Sequence, residues 1–210
     1  MLQLKGNPTP ISSVIFDLGN VMFDYDPARF MFDLGIPQEK IPRMLEIISN
    51  RPEWDEYDQG TLLAEDIAAL AIRDEPSLRK EINHYMKHWS EPFTALTYNV
   101  ETFYQIREAG IKTYILSNWM QDSYEYVWNH FIFLHDFDGG IISYEYKINK
   151  PDPAIYELLL KKYPEIDPAH TLYIDDIARN CETGKKFGFI TLNLPHNGVI
   201  ADFIEFREDM

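Results

Sequence analysis

The sequence predicts an α/β fold: a doubly wound parallel sheet whose chain is interrupted after the first strand by an all-helical domain. Three observations carry that expectation. Short runs that are apolar at successive positions, such as Val14, Ile15 and Phe16, suit strands covered on both faces. From Leu96 onward such runs alternate with stretches of helical periodicity, the pattern of right-handed crossover units in one parallel sheet. Between the first run and that alternation, residues 27–91 hold amphipathic helices separated by proline and asparagine breaks, and no convincing strand. The expected boundaries are a sheet-bearing domain of residues 1–24 and 93–210 and a helical domain of residues 25–92.

Taken in order, residues 14–16 form the first strand, which ends on Asp17 and a turn containing Gly19 and Asn20. In the helical block a helix is expected from Thr61, with Leu63, Ile67, Leu70 and Ala71 at i, i+4, i+7 and i+8. Pro76 opens another, in which Leu78, Ile82, Tyr85, Met86 and Trp89 share one side. The two stripes are expected to pack together or onto a neighbour. His84 and His88 have the i, i+4 spacing of paired helical metal ligands, but they point away from that apolar side and no third ligand is nearby. Both are read as solvated. Residues 97–109 are helical with Val100, Phe103 and Ile106 inward, and Gly110 is placed to end that helix. Residues 111–116 form a strand, 119–130 a helix and 140–143 a short strand. Pro151 and Pro153 break the chain and start a helix with Ile155, Leu158 and Leu159 inward. Residues 171–174, 178–187 and 189–194 complete the pattern as strand, helix and strand, with Gly188 closing the helix.

Composition excludes several functions. A chain of 210 residues that is 45% hydrophobic and 25% charged is long enough to bury a large core. Its net charge of -15 argues against nucleic acid and against an anionic membrane surface, both of which select basic patches. No stretch reaches the apolar length needed to cross a bilayer. Residues 1–9 carry one lysine and no long apolar core, so no signal peptide is expected. Cys181 is the single cysteine, which agrees with a reducing compartment and a cytoplasmic protein; it is read as a small core residue.

Three predicted strands end in polar groups: Asp17, Ser117 with Asn118, and Asp175 with Asp176. Each has an ordinary reading as a turn or helix cap, and Lys150 has one as a solvated loop lysine. In a parallel sheet, however, those strand ends share one edge, where such sheets bind ligands. Residues far apart in sequence are therefore expected at a single site.

The four elements DLGNV at Asp17 to Val21, LSN at Leu116 to Asn118, Lys150 in KINKPDP, and IDDIARN at Ile174 to Asn180 resemble, in order and spacing, the four motifs of the haloacid dehalogenase superfamily. The resemblance spans residues 12–194 and is nearest to sugar-phosphate-phosphatase-like members with DLGNV in the first motif. It implies a Rossmann-like core with an inserted helical cap, and a Mg²⁺-dependent phosphatase acting on a small phosphorylated metabolite, such as a sugar phosphate. Asp17 would be the nucleophile that forms an aspartyl-phosphate. Asp17, the Gly19 carbonyl and Asp176 would hold Mg²⁺, with Asp175 a second ligand or an orienter of water. Ser117 and Asn118 would bind phosphoryl oxygens, Lys150 would supply fixed positive charge, and Asn180 would support them.

One position departs from the family pattern. Most phosphatases of this superfamily carry an aspartate two residues after the nucleophile as general acid and base, and here that residue is Gly19. Asp24 and Asp26 are nearby in sequence but are read as helix-capping residues. The missing acid keeps open a dehalogenase, which uses the same nucleophile, and a non-catalytic protein that binds a phosphometabolite. Adjacent acids with no cation would repel, so Asp175 and Asp176 argue against the dehalogenase. Within the cap, Trp54, Tyr57 and Gln59 are expected to face the site, with Trp119 from the core side.

Overall fold

The computed structural model describes residues 1–196 and 198–207; residues 197 and 208–210, which the sequence assigns to the core, lie outside the described residues. The chain opens with β1 (Leu2–Leu4), β2 (Ser13–Phe16) and β3 (Phe23–Asp24). It continues through α1 (Pro27–Asp33), α2 (Ile41–Ile47), α3 (Trp54–Asp58), α4 (Ala64–Asp74) and α5 (Arg79–His88) before β4 (Thr94–Ala95). The alternating part then runs α6 (Thr97–Glu108), β5 (Lys112–Ser117), α7 (Gln121–His130), β6 (Gly139–Ile142), α8 (Ser143–Tyr146) and α9 (Pro153–Lys162). It ends with β7 (Thr171–Asp175), α10 (Ala178–Lys186), β8 (Ile190–Asn193) and β9 (Ile204–Phe206).

The main sheet has the order β6-β5-β2-β7-β8 with every neighbour parallel. Its strands are apolar at successive positions because alternate residues feed different clusters. In β2, Val14 and Phe16 join the larger core, while Ile15 joins Tyr114, Leu116, Ile155 and Leu159 on the other face. The faces are covered by α6 with Phe103 and Ile106 on one side, and by α9 with Ile155, Tyr156 and Leu159 on the other. The order reverses about β2, so β5 and β7 flank it and the three polar strand ends stand side by side. That reversal is where a ligand crevice opens in such sheets.

The helical segment leaves and returns at one place, because β3 and β4 pair antiparallel. Leu78, Ile82, Tyr85, Met86 and Trp89 are all buried, and α5 packs against α4. An aromatic bridge joins this segment to the sheet: Trp89 meets Phe93 at 6.1 Å, Phe93 meets Trp119 at 4.8 Å, and Trp119 meets Phe23 at 5.6 Å between ring centroids. His84 approaches the Leu34 carbonyl and His88 pairs with Glu91, away from the carboxylate cluster.

Two features depart from the sequence expectation. The terminal strands β1 and β9 pair antiparallel, and neither was foreseen, because three residues are too few to show a period. The helix expected from Thr61 begins at Ala64, since the Asp66 carboxylate accepts the Leu63 amide and caps the helix there. Leu63 consequently lies at the surface rather than on the inward face. Among the described residues, no helix is long and apolar enough to cross a membrane.

Candidate active site

Asp17 follows directly on β2, with its amide still bonded to the Ile174 carbonyl of the neighbouring strand. Three donors converge on one of its carboxylate oxygens: the Leu18 amide at 2.8 Å, the Ser117 hydroxyl at 2.7 Å and the Lys150 ammonium at 2.9 Å, all on Oδ1. Among the described residues, none donates to Oδ2. One oxygen is thereby fixed and the other left to react or to bind a cation. Burial pushes the Asp17 carboxyl up, Lys150 opposes this, and Asp175 and Asp176 add to it, leaving it at about 7.

Lys150 is buried among the strand ends and gives its ammonium protons to Asp17, to Asp175 Oδ2 at 2.7 Å and to the Leu116 carbonyl at 2.8 Å. An ammonium has three N–H groups, so all are engaged. Burial alone would lower its pKa, but the two facing carboxylates raise it, and it stays charged. Asn118 holds the lysine by its backbone, accepting from the Lys150 amide at 2.7 Å and donating to the Lys150 carbonyl at 3.0 Å. The side chains of Ser117 and Asn118 thus bear on Asp17 and Lys150.

Asp175 is fully buried, and both its oxygens are taken by protein donors: Lys150, the Tyr173 hydroxyl, the Ile177 amide and Asn180. Asp176 is more open and accepts from Asn20 Nδ2 at 3.0 Å. Burial raises its pKa, the Asn20 hydrogen bond opposes this, and Asp175 raises it further.

One ligand atom from each of Asp17, Asp175 and Asp176 falls within 4.8 Å of the others. Three carboxylates face a single ammonium, and the side-chain oxygen of Asn20 is buried with no hydrogen-bond partner. Excess negative charge and hard oxygen donors fit a hard divalent cation such as Mg²⁺. A cation there would draw the raised carboxyl pKa values back down.

The cluster opens into a cavity of about 170 Å³ lined by Asp17, Gly19, Asn118, Lys150, Asp176 and, from α3, Asp55 and Asp58. A second cavity of about 140 Å³ adjoins it, sharing Gly19, Asn20, Asp58 and Asn118, and adds Tyr25, Trp54, Trp89, Phe93 and Trp119. Trp54 and Trp119 therefore line the cavity beside the carboxylate cluster. Tyr57 is buried with its hydroxyl on Asp122, and Gln59 is not part of either wall. A larger cavity of about 280 Å³ lies between the start of α4 and α7 and includes none of the clustered carboxylates.

Asp24 and Asp26 line a separate cavity with Arg29, and Asp26 caps α1 by accepting from the Arg29 amide. Sequence reasoning missed Asp58, Tyr173, Asn20 and Arg179, the last of which stands exposed at the rim of the first cavity. The one signal was Gly19, whose missing acid implied a donor elsewhere.

The chain is 20% identical to a protein named sesquiterpene phosphatase astK from Aspergillus oryzae, over 95% of this chain and 97% of that one. A local match, 36% identical over 31% of each chain, links it to a D-ribitol-5-phosphate phosphatase of Bacteroides thetaiotaomicron. Among solved structures, a HAD family enzyme of Bacteroides thetaiotaomicron in complex with magnesium and inorganic phosphate superposes with a TM-score of 0.68 at 22% identity, covering 89% of this chain and 95% of that one. With the family model for haloacid dehalogenase-like hydrolases matching residues 11–188, the strand-end carboxylates belong to a known frame, and this chain is a member of the haloacid dehalogenase-like hydrolase family.

Proposed function

We propose that this protein is a Mg²⁺-dependent phosphatase that hydrolyses a small phosphorylated metabolite through an aspartyl-phosphate on Asp17. The observation that carries the reading is the asymmetry of Asp17, with Oδ1 held by three donors and, among the described residues, no donor on Oδ2. Attack of Oδ2 on phosphorus forms the Asp17 Oδ2–P bond and breaks the bond to the leaving oxygen. Water then attacks the same phosphorus and releases phosphate and the Asp17 carboxylate. Lys150 keeps Asp17 oriented and stabilises its charge in a buried setting. Asp17, Asp176 and the Gly19 carbonyl would hold Mg²⁺, with Asp175 orienting them, and the ion supplies charge neutralisation to the phosphoryl oxygens. The relatives named as phosphatases support the same reaction class.

The helical segment of residues 25–92 acts as the cap over this site. The aromatic cavity behind Gly19 receives the organic part of the substrate, and its Trp54, Trp89, Phe93 and Trp119 favour a group with an apolar or ring face. Arg179 at the rim meets the incoming phosphate. A cytoplasmic setting agrees with the single buried cysteine and with a phosphorylated metabolite as substrate.

A panel of phosphomonoesters assayed with Mg²⁺ and with chelator tests the reading. Release of phosphate that stops on chelation is expected. Halide release from 2-haloacids that persists in chelator would overturn it in favour of the dehalogenase. Tight binding of phosphomonoesters with no turnover would overturn it in favour of a binding protein.

A further inference from the structure

The Gly19 position lacks a side chain without any backbone reason. Its φ lies outside the left-handed region, and a Cβ built there meets nothing within 4 Å. A proton donor for the leaving group is therefore missing from the place where the fold has room for one.

We infer that Asp58, carried by the helical segment, is the general acid and base of the hydrolysis, standing in for the side chain absent at Gly19. The inference rests on the phosphatase reading above and concerns a different residue and a different step.

Geometry carries it. Asp58 lines both the cavity that holds Asp17 and the aromatic cavity beside it, and Gly19 lies on the same shared boundary. A phosphoester whose phosphorus lies against Asp17 and whose organic group lies among the aromatic rings has its bridging oxygen at that boundary. Among the described residues, no hydrogen bond or ion pair holds the Asp58 carboxyl, so it is free to meet that oxygen.

Its backbone, in contrast, is tethered. The carbonyls of Asp55, Asp58 and Gly60 accept from Asn149 at 2.7 Å, Ser143 at 2.5 Å and Lys147 at 2.5 Å. Three core side chains thus hold α3 over the strand ends. Gly60 is part of the arrangement, since its φ of +66° is left-handed and a Cβ there would lie 2.7 Å from Lys147 Nζ. Burial, then the charges of Asp55 and Asp17, push the Asp58 carboxyl up to about 8 against the pull of Lys150, in the direction a proton donor needs.

The protons balance over two steps. As Asp17 Oδ2 bonds to phosphorus and the ester P–O bond breaks, the Asp58 proton passes to the leaving oxygen and gives an alcohol. The Asp58 carboxylate then takes a proton from the water that attacks phosphorus, the Asp17 O–P bond breaks, and Asp58 is protonated again.

The test compares full-length wild type with Asp58→Asn in Mg²⁺ on an alkyl phosphomonoester and on p-nitrophenyl phosphate, whose leaving group needs no proton. Asparagine preserves the carbonyl tethers, and melting temperature checks the fold. On the alkyl ester, kcat/KM is expected to fall about 10²- to 10³-fold. On the nitrophenyl ester, the first equivalent of nitrophenolate should appear at close to the wild-type rate, followed by slow turnover, because only the water step then lacks its base. The double variant Gly19→Asp with Asp58→Asn should regain at least about tenfold on the alkyl ester. Equal losses on both substrates with no burst, or no loss on either, would overturn the role of Asp58 while leaving the phosphatase reading intact. A wild type inactive on every phosphomonoester would overturn both.

Discussion

The two ends of the central sheet each hold a carboxylate in contact with basic side chains, and they treat it in opposite ways. At the amino end of β5, Asp138 accepts from Lys112 at 2.6 Å, Arg107 at 2.9 Å and the Thr113 amide at 2.9 Å. Burial would raise its pKa, but the Lys112 hydrogen bond, the Thr113 amide and the two positive charges outweigh it and hold the carboxyl low. At the carboxyl end, Lys150 faces Asp17 and Asp175 with Asp176 and Asp58 close by, and the carboxyls of Asp17, Asp176 and Asp58 are raised. Charge is fully answered at one end and left in excess at the other. The first arrangement serves the fold; the second has the excess charge that the proposed cation would answer.

Breaking the excess at its centre has the largest effect. Asp17→Asn keeps the shape and its Ser117 and Leu18 neighbours but removes the proposed nucleophile, so turnover of any phosphomonoester should fall by about 10⁴-fold or more. Steady-state phosphate release checks this, and a rate near wild type would dismiss Asp17 as the nucleophile.

Next comes Lys150→Met, which leaves Asp17 and Asp175 facing each other with no cation. Removing one partner of a buried ion pair costs about 3–5 kcal/mol, and denaturant unfolding of the metal-free protein should show a loss of that size at neutral pH. Mg²⁺ should return part of it by supplying charge to the same carboxylates. An unfolding midpoint that does not move on this substitution would mean that Lys150 is not what holds the pair.

Most of the sheet was legible because burial on both faces forces continuous apolar runs, and Asp17, Ser117 and Asp175 interrupt such runs where they stop. Lys150 was not legible on physical grounds; only its place in a family motif singled it out, because an isolated loop lysine carries no sign of being buried. Asp58 was illegible for a different reason. It lies in a polar stretch beside Asp55 and Glu56 with no period to rank them, and the backbone around it is held by Ser143, Lys147 and Asn149, which are more than eighty residues away in the chain. The β1–β9 pair was hidden in the same way, since its contacts join the two ends of the molecule.

The pH dependence of stability separates the two ends by sign. A carboxyl raised in the fold binds more protons than in the unfolded chain, so Asp17, moved from 3.8 to about 7, favours the metal-free fold below its unfolded value and loses that contribution as pH rises toward 7. Asp58, raised from 3.8 to about 8, acts in the same direction. The melting temperature of the metal-free protein should therefore fall from these groups between pH 5 and 7, and Asp17→Asn should flatten that fall. A profile unchanged by the substitution would mean that Asp17 ionises normally.

The smallest effect belongs to the answered end. Asp138, held low, contributes stability above its unfolded pKa and loses it only in acid, the opposite slope. Lys112 is mostly exposed, with 61% of its side chain open to solvent, and Arg107 and the Thr113 amide remain on Asp138 when it is removed. Lys112→Met should accordingly cost no more than about 1 kcal/mol, against several for Lys150→Met. The contrast does not follow from the number of ion pairs, because each lysine touches a carboxylate at under 3 Å. It follows from what remains when the cation goes: a carboxylate with two other donors at one end, and two buried carboxylates sharing a crevice at the other. Equal losses for the two variants would show that burial at the carboxyl end is relieved by water, and would remove the electrostatic reason for a cation there.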